Sequence, residues 1–266
     1  MKKLALIFLF SLFAFALQGQ KIIMNEGKAK VIYAYDANQP LNIDDECKVW
    51  LDGKDASTFT LDGTYVDDWE GKGSLNVHVV NTNDDATRPT YDASTGRVAF
   101  TAANSTFLQS AAFGSALSQP NTVFIVYKIT GGLGDNEAVF DARSTTQQMI
   151  YYKDNLFKIY AGSGVINHIS TNANDNIHVA EFNGVSGKYW INGAIEEENS
   201  GSGSLDGITL GARGGLNYFA DAEIMEVIVY NADISDRDRD VLTAYLANKW
   251  NITATTENKG YIIRQD

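Results

Sequence analysis

Asp221, Glu223 and Glu226 are the acids whose spacing comes nearest to a pair able to work on a glycosidic bond. Retaining hydrolysis needs two carboxyl groups about 5–5.5 Å apart, a separation that same-face neighbours two apart on a strand can supply. Strand alternation through Asp221-Ala222-Glu223-Ile224-Met225-Glu226 puts Asp221 and Glu223 on one face and Glu226 on the other. The strand then runs apolar, so no dyad is expected. Glu196, Glu197 and Glu198 follow a tight hairpin and read as a solvated edge. A proton-abstracting set would draw on His178, Tyr151, Tyr152, Arg143 and Gln147. His78 and His168 have no partner at metal-ligand spacing, and Cys47 stands alone without a nearby histidine, so neither a zinc site nor a thiol nucleophile is supported.

Sugar binding asks for less. It needs exposed aromatic faces for the apolar side of a ring and polar groups for the hydroxyls. The aromatic candidates on strands or their ends are Trp190, Tyr152, Tyr127 and Tyr218, with Asp141, Arg143, Arg213 and Asn217 as polar partners. Trp190 leads, because Tyr189 and Ile191 can take the core face of the same strand. Each aromatic on its own also fits a packing role, and Trp50 and Trp69 are assigned to the core.

The elements that must position these groups are short. AVFDAR (138–143), MIYY (149–152) and LFKIYAG (156–162) follow the long apolar run TVFIVYKI (122–129). All are rich in β-branched and aromatic residues, which suit a pleated surface. IHVAEF (177–182) passes through Asn183-Gly184 into KYWI, and Asn192-Gly193 turns the chain into AIEEE. Asn-Gly pairs supply the positive φ that tight hairpins require. GITLGAR (207–213) and AEIMEVIVY (222–230) complete the set. Runs this short argue against alternating strands and helices and for antiparallel sheets. One helix is expected, capped by Ser235 with Asp236 and Asp238 in its first turn and ended by Asn251.

Composition agrees with a folded, extracellular chain. Of 266 residues, 44% are hydrophobic, against 20% charged, 3 Pro and a single Cys. That is too apolar for disorder and too Cys-poor for a disulfide scaffold. The net charge of −12 makes nucleic acid and anionic membrane surfaces poor partners. Lys2 and Lys3 precede the apolar run from Leu4 to Leu17, which ends before Gly19. This is the layout of a secretory signal peptide over residues 1–19, and the run is too short for the roughly 20 residues that span a bilayer. Cleavage near Gly19 would release an extracellular or periplasmic chain; losing two lysines leaves 19 basic and 33 acidic residues, a charge of −14.

Three stretches carry a family likeness: VWLDGKDASTFTLDG (49–63) with VDDW (66–69) and RPTYDASTGRVAF (88–100), HVAEFNGVSGKYWING (178–193), and AEIMEVIVYNADISDRDRDVLTAYLANKWNI (222–252). The chain resembles the laminin-G-like jelly rolls of the concanavalin A-like lectin and glucanase superfamily in bacterial secreted proteins. The resemblance implies an all-β, two-sheet antiparallel jelly-roll sandwich over 49–252 with a C-terminal helix. Residues 20–48 form an N-terminal extension with an added strand in KVIYAY (30–35), and 253–266 form a tail. Trp69 is followed by EGKGSLNV in place of the W-x-D-x-S-G-x-G-N stretch of many relatives.

What the resemblance implies for function is a class. Laminarinase-type relatives carry Glu-x-Asp-x-x-Glu, absent here, and the alginate-lyase motifs are not matched by YYKDNLFKIYAGSG (151–164). Relatives often hold one Ca²⁺ at the rim; Asp135, Asn136 and Glu137 in one loop and Asp84 and Asp85 in another are the acids available, but such a site needs six to eight oxygens. The expectation is therefore a secreted module that binds a polysaccharide or cell-surface glycoconjugate without turning it over. A polysaccharide-degrading hydrolase or lyase is the first alternative, and a structural adhesin or assembly subunit the second.

Overall fold

The computed structural model describes residues 20–25, 28–33, 46–81, 85–131, 136–144, 148–169 and 174–256. The expected signal peptide, the end of the 30–35 run, Asp84, Asp135, Gln147 and most of the tail lie outside these. The chain divides into two compact units, one of residues 1–39 with 260–266 and one of residues 40–259. In the first, Gln20–Asn25 pairs antiparallel with Lys28–Tyr33, so the expected added strand is half of a hairpin.

Among its described residues the second unit is all-β but for one α-helix and four single 3-10 turns, and every strand pair is antiparallel. The ladder runs Ala194–Glu198, Gly187–Ile191, Asn176–Phe182, Asn121–Ile129, Ala222–Tyr230. The last of these splits its far edge between Cys47–Asp52 and Arg97–Phe100. From Arg97–Phe100 the sheet continues through Thr90–Asp92, Tyr65–Glu70, His78–Val80, Leu108–Ser110 and Ile208–Leu210. It then passes into Glu137–Ala142, Met149–Lys153, Leu156–Tyr160 and Val165–His168. Val165–His168 lies back against Gly187–Ile191 and Ala194–Glu198, so the sheet nearly closes on itself. Closure hides the backbone edges that an open sheet would expose.

Alternation decides what lies inside. Val123, Ile125 and Tyr127 point inward from one side; Val139, Ile150, Tyr152, Phe157 and Ile159 point inward from the other. The turn at Asn192 (φ 50°) and Gly193 (φ 89°) has the positive dihedrals its residue types foretold.

The strand 222–230 breaks simple alternation. Val126 pairs with Glu226 but Tyr127 pairs with Ile224, which leaves Met225 as an extra, bulged residue. Its carbonyl accepts from Gly53 N–H at 2.9 Å instead of joining the ladder. Ala222 and Ile224 consequently share the interior with Val227 and Val229. Glu226 is thereby moved to the outer face, the face Glu223 occupies, contrary to the strict alternation expected from sequence.

The helix Asp236–Trp250 starts and stops where its caps dictate: Ser235 accepts from Asp238 N–H, and Asn251 adopts a left-handed conformation. It buries Val241, Leu242, Tyr245, Leu246 and Trp250 on the outer face of the sheet. The fixing point is Glu226, which is fully buried and accepts from Trp50 Nε1 (2.9 Å), Tyr245 Oη (3.1 Å) and Trp250 Nε1 (2.6 Å). Lys249 Nζ lies 2.9 Å from Glu226 and 2.6 Å from Asp52, which also binds Lys72. Burial raises the Glu226 pKa against the pull of Lys249. Burial would raise Asp52 too, but Lys249 and Lys72 outweigh it and hold that carboxyl below its ordinary range. Cys47 is buried and unpaired, its thiol pushed up to about 11 chiefly by burial, as befits an inert packing group. Among the described residues no helix is long and apolar enough to cross a membrane.

Candidate functional site

Four of the eight expected sugar-binding residues are buried. Trp190 does face away from Tyr189 and Ile191, but the helix covers that face: Trp190 is 2% exposed, with the Arg239 guanidinium 4.5 Å from its ring centroid. Tyr127 is stacked on His178 inside the sheet, ring centroids 4.1 Å apart. Tyr152 packs edge-on against Phe157 at 4.9 Å in the same interior. Neither offers a face to solvent. Asp141 is fully buried as well. The causes differ: Tyr127 and Tyr152 point to the interior face of their strands, while the outward face of Trp190 is roofed by the helix.

The remaining polar candidates separate. Arg143 is exposed, and its Nε donates to the Ser110 carbonyl at 3.0 Å. Arg213, Asn217 and Tyr218 are brought together on one loop. Arg213 N–H donates to the Asn217 carbonyl (2.9 Å), Leu216 N–H to the Arg213 carbonyl (2.7 Å), and Ala138 N–H to the Tyr218 carbonyl (2.9 Å). Leu216 and Tyr218 hold left-handed φ values of 55° and 51°, conformations costing about 1–3 kcal/mol each that persist only when surroundings impose them. Asp141 supplies part of that constraint from below: its carboxylate accepts from Gly214 N–H (3.1 Å) and Ala142 N–H (2.8 Å). Gln109 Nε2 adds a bond to the Gly214 carbonyl at 3.1 Å.

This loop forms one wall of a cleft of about 240 Å³. The floor is the outer face of Met149–Lys153 and Leu156–Tyr160, which contributes Met149, Tyr151, Lys153 and Tyr160; Asn136 and Val165 close the ends. Tyr218 is 44% exposed, the one exposed Phe, Tyr or Trp among the described residues. The Arg213 guanidinium lies 5.6 Å from the Tyr218 ring centroid. Burial, reinforced by the charge of Asp154, pushes the Tyr151 phenol up to about 12, so its hydroxyl stays protonated at neutral pH. The exposed Tyr218, the half-buried Tyr160 and the largely buried Tyr151 (8% exposed) therefore line one opening together with an amide and two cations. Tyr160 and Lys153 are not singled out by the sequence, and Tyr151 is named there only for proton abstraction, not for sugar binding. Their signal was parity: Lys153 marks the solvent face of its strand, and Tyr151, not Tyr152, shares it.

A larger groove of about 690 Å³ lies on the outer face of the 222–230 strand, lined by Asp92, Arg97, Lys128, Asp175, Asn192 and Glu223 among others. Among the described residues no aromatic side chain lines it. Its cations are already engaged: Arg97 binds Asp175 through two bonds (2.6 and 3.0 Å) and Glu223 at 2.8 Å, and Lys128 stands 3.9 Å from Glu223. Of the acids considered for a dyad, Asp221 accepts from Ala102 N–H (2.8 Å), Glu223 is in this ion-pair group, and Glu226 is sealed under the helix. His178 is buried against Tyr189 Oη (2.7 Å), and burial drives its pKa well below the ordinary value. Of the calcium candidates, Asp85 pairs with Arg88 and Glu137 is buried within its strand. Among the described residues no group of three His, Cys, Asp or Glu side chains is gathered to hold a metal.

No protein-family model matches the chain. No curated protein matches it either. Solved structures do match in fold. The receptor-binding domain of a botulinum neurotoxin C/D mosaic serotype aligns at TM-score 0.55 with 11% identity, covering 76% of this chain and 51% of that one. The serotype D binding domain aligns at 0.54 with 11% identity, covering 77% and 52%. A Trypanosoma rangeli sialidase, described in complex with sialic acid, aligns at 0.51 with 11% identity, covering 90% and 37%. The chain thus spans about half of the neurotoxin domains and about a third of the sialidase. At these identities the likeness is one of fold: an all-β, antiparallel architecture.

Proposed function

We propose that the protein is a secreted, non-catalytic glycan-binding module whose site is the cleft of Tyr151, Tyr160, Tyr218 and Arg213. The observation that carries this reading is the convergence of three tyrosine rings with Asn136, Lys153 and Arg213 on one opening of about 240 Å³. Tyrosine suits a sugar twice over, with an apolar face for the ring carbons and a hydroxyl for hydrogen bonds. The receptor-binding and sialic-acid-complexed neighbours lend the reading support at the level of fold. In the same reading the nearly closed sheet is a concanavalin A-like jelly-roll sandwich over residues 49–252, and residues 1–19 are a signal peptide removed near Gly19.

Binding as opposed to turnover is favoured by where the reactive groups sit. Glu226 and His178 are fully enclosed, and among the described residues no carboxylate lines the cleft. The test is a glycan array followed by calorimetric titration of the best oligosaccharide against the wild type and Tyr218→Ala. The expected result is saturable binding weakened about tenfold or more by the substitution, the loss of one sugar-stacking aromatic. Saturable glycan binding that Tyr218→Ala and Tyr160→Ala leave unchanged would move the site elsewhere. Absence of binding to every oligosaccharide would remove the reading.

A further inference from the structure

The charge inside the cleft runs against the charge of the chain. The protein carries 33 acidic and 21 basic residues, and most of its described cations near acids are spent on ion pairs: Lys158 with Asp154 at 3.2 Å, Lys188 with Glu181 at 3.8 Å, Arg97 with Asp175 and Glu223. Lys153 and Arg213 are exceptions. Neither forms an ion pair among the described residues, and both line the same opening. The nearest acids are turned to other work. Asp154 is held by Lys158, and Asp141, close enough to feel the Arg213 charge, spends its oxygens on backbone N–H groups beneath the loop.

A guanidinium fork meets a carboxylate or sulfate in two parallel bonds, and neither Arg213 nor Lys153 has an acidic partner among the described residues to give up first. Resting on the glycan-binding reading above, we infer that the cleft is selective for anionic saccharides: a ring carrying a carboxylate or sulfate stacks on the tyrosines while Arg213 and Lys153 take its charge. The planar fork of Arg213 favours the carboxylate of a uronic-type acid. The tyrosine floor favours a sugar over an acidic peptide, which would gain little from ring faces.

The experiment is calorimetric titration of the full chain with four probes: oligogalacturonate, a sulfated galactan oligosaccharide, a neutral cello-oligosaccharide of matched length, and poly-glutamate. The wild type should prefer oligogalacturonate to the neutral probe by about tenfold or more, the worth of a charge-assisted bond, and that preference should shrink as salt is raised. Arg213→Gln and, separately, Lys153→Gln should each collapse the preference, so that a folding failure of one leaves the other to decide. Sulfated and carboxylated probes binding alike would assign the site to anionic sugars generally, while a carboxylate advantage would assign it to uronic acids. Equal affinity for neutral and acidic sugars, with Tyr218→Ala weakening both, would overturn this inference and leave the glycan-binding reading standing. Poly-glutamate binding as well as oligogalacturonate would overturn it in favour of an acidic peptide. No binding of any sugar would remove both.

Discussion

Tyr218 can hold its ring in solvent because the loop beneath it is tied down at several points. Its left-handed backbone is secured by Ala138 N–H on its carbonyl and by Asp141 and Gln109 on Gly214. Since the ring is 44% exposed, Tyr218→Ala should change folding stability by no more than about 0.5 kcal/mol while weakening sugar binding. Trp190→Ala should do the reverse. That ring is sealed between sheet and helix, and its removal should cost about 3–5 kcal/mol in urea unfolding. If the two variants exchanged these effects, the assignment of exposed platform and buried packing group would be wrong. Asp141 adds a pH dependence. Burial, offset in part by the Gly214 and Ala142 N–H groups and by Arg213, pushes its pKa from 3.8 up to about 6. The folded chain therefore holds an extra proton between those values; this group's stabilising contribution is present at low pH and lost as pH rises through about 6. The stability gap between wild type and Asp141→Asn should shift toward the wild type as pH falls from neutral to about 5. A gap independent of pH would contradict the raised pKa.

At the scale of elements, the helix and the bulge act together. An uninterrupted strand would have turned Glu226 inward with Ile224; the extra residue at Met225 turns it outward, where Trp50, Tyr245, Trp250 and Lys249 surround it. The helix is thus docked by a buried charge as well as by apolar area. Glu226→Ala should cost about 3–5 kcal/mol, because it leaves Lys249 facing a site it was built to neutralise. Glu226→Gln should fall between that variant and the wild type. Equal stability of all three would show that apolar packing alone holds the helix. Much of this was legible in the chain: Ser235 and Asn251 bracketed the helix, and Asn192-Gly193 fixed the hairpin. The bulge was not, because a single extra residue leaves no mark in an apolar run. Nor was the roof over Trp190, since alternation tells which residues share a face but not which face another element will cover.

At the scale of the molecule, the sheet curls until Val165–His168 meets Gly187–Ile191, and two of the openings on its outside differ in character. One is the large groove beside Arg97 and Glu223, rich in ion pairs that satisfy one another. The other is the small tyrosine cleft, built from strands 149–153 and 156–160 and a loop some 60 residues later. That separation explains why the sequence pointed to Arg213 and Tyr218 but not to their partners: their meeting depends on sheet order, which no local pattern encodes. Solution NMR of the chain with isotope-labelled tyrosine rings, titrated separately with oligogalacturonate and with a cello-oligosaccharide, tests the location of the site most directly. The ring signals of Tyr151, Tyr160 and Tyr218 should move with at least one of these sugars, while those of the enclosed Tyr127, Tyr152 and Tyr189 stay in place. Shifts centred instead on Tyr91, beside the Arg97–Glu223 groove, or no shifts at all, would contradict the account.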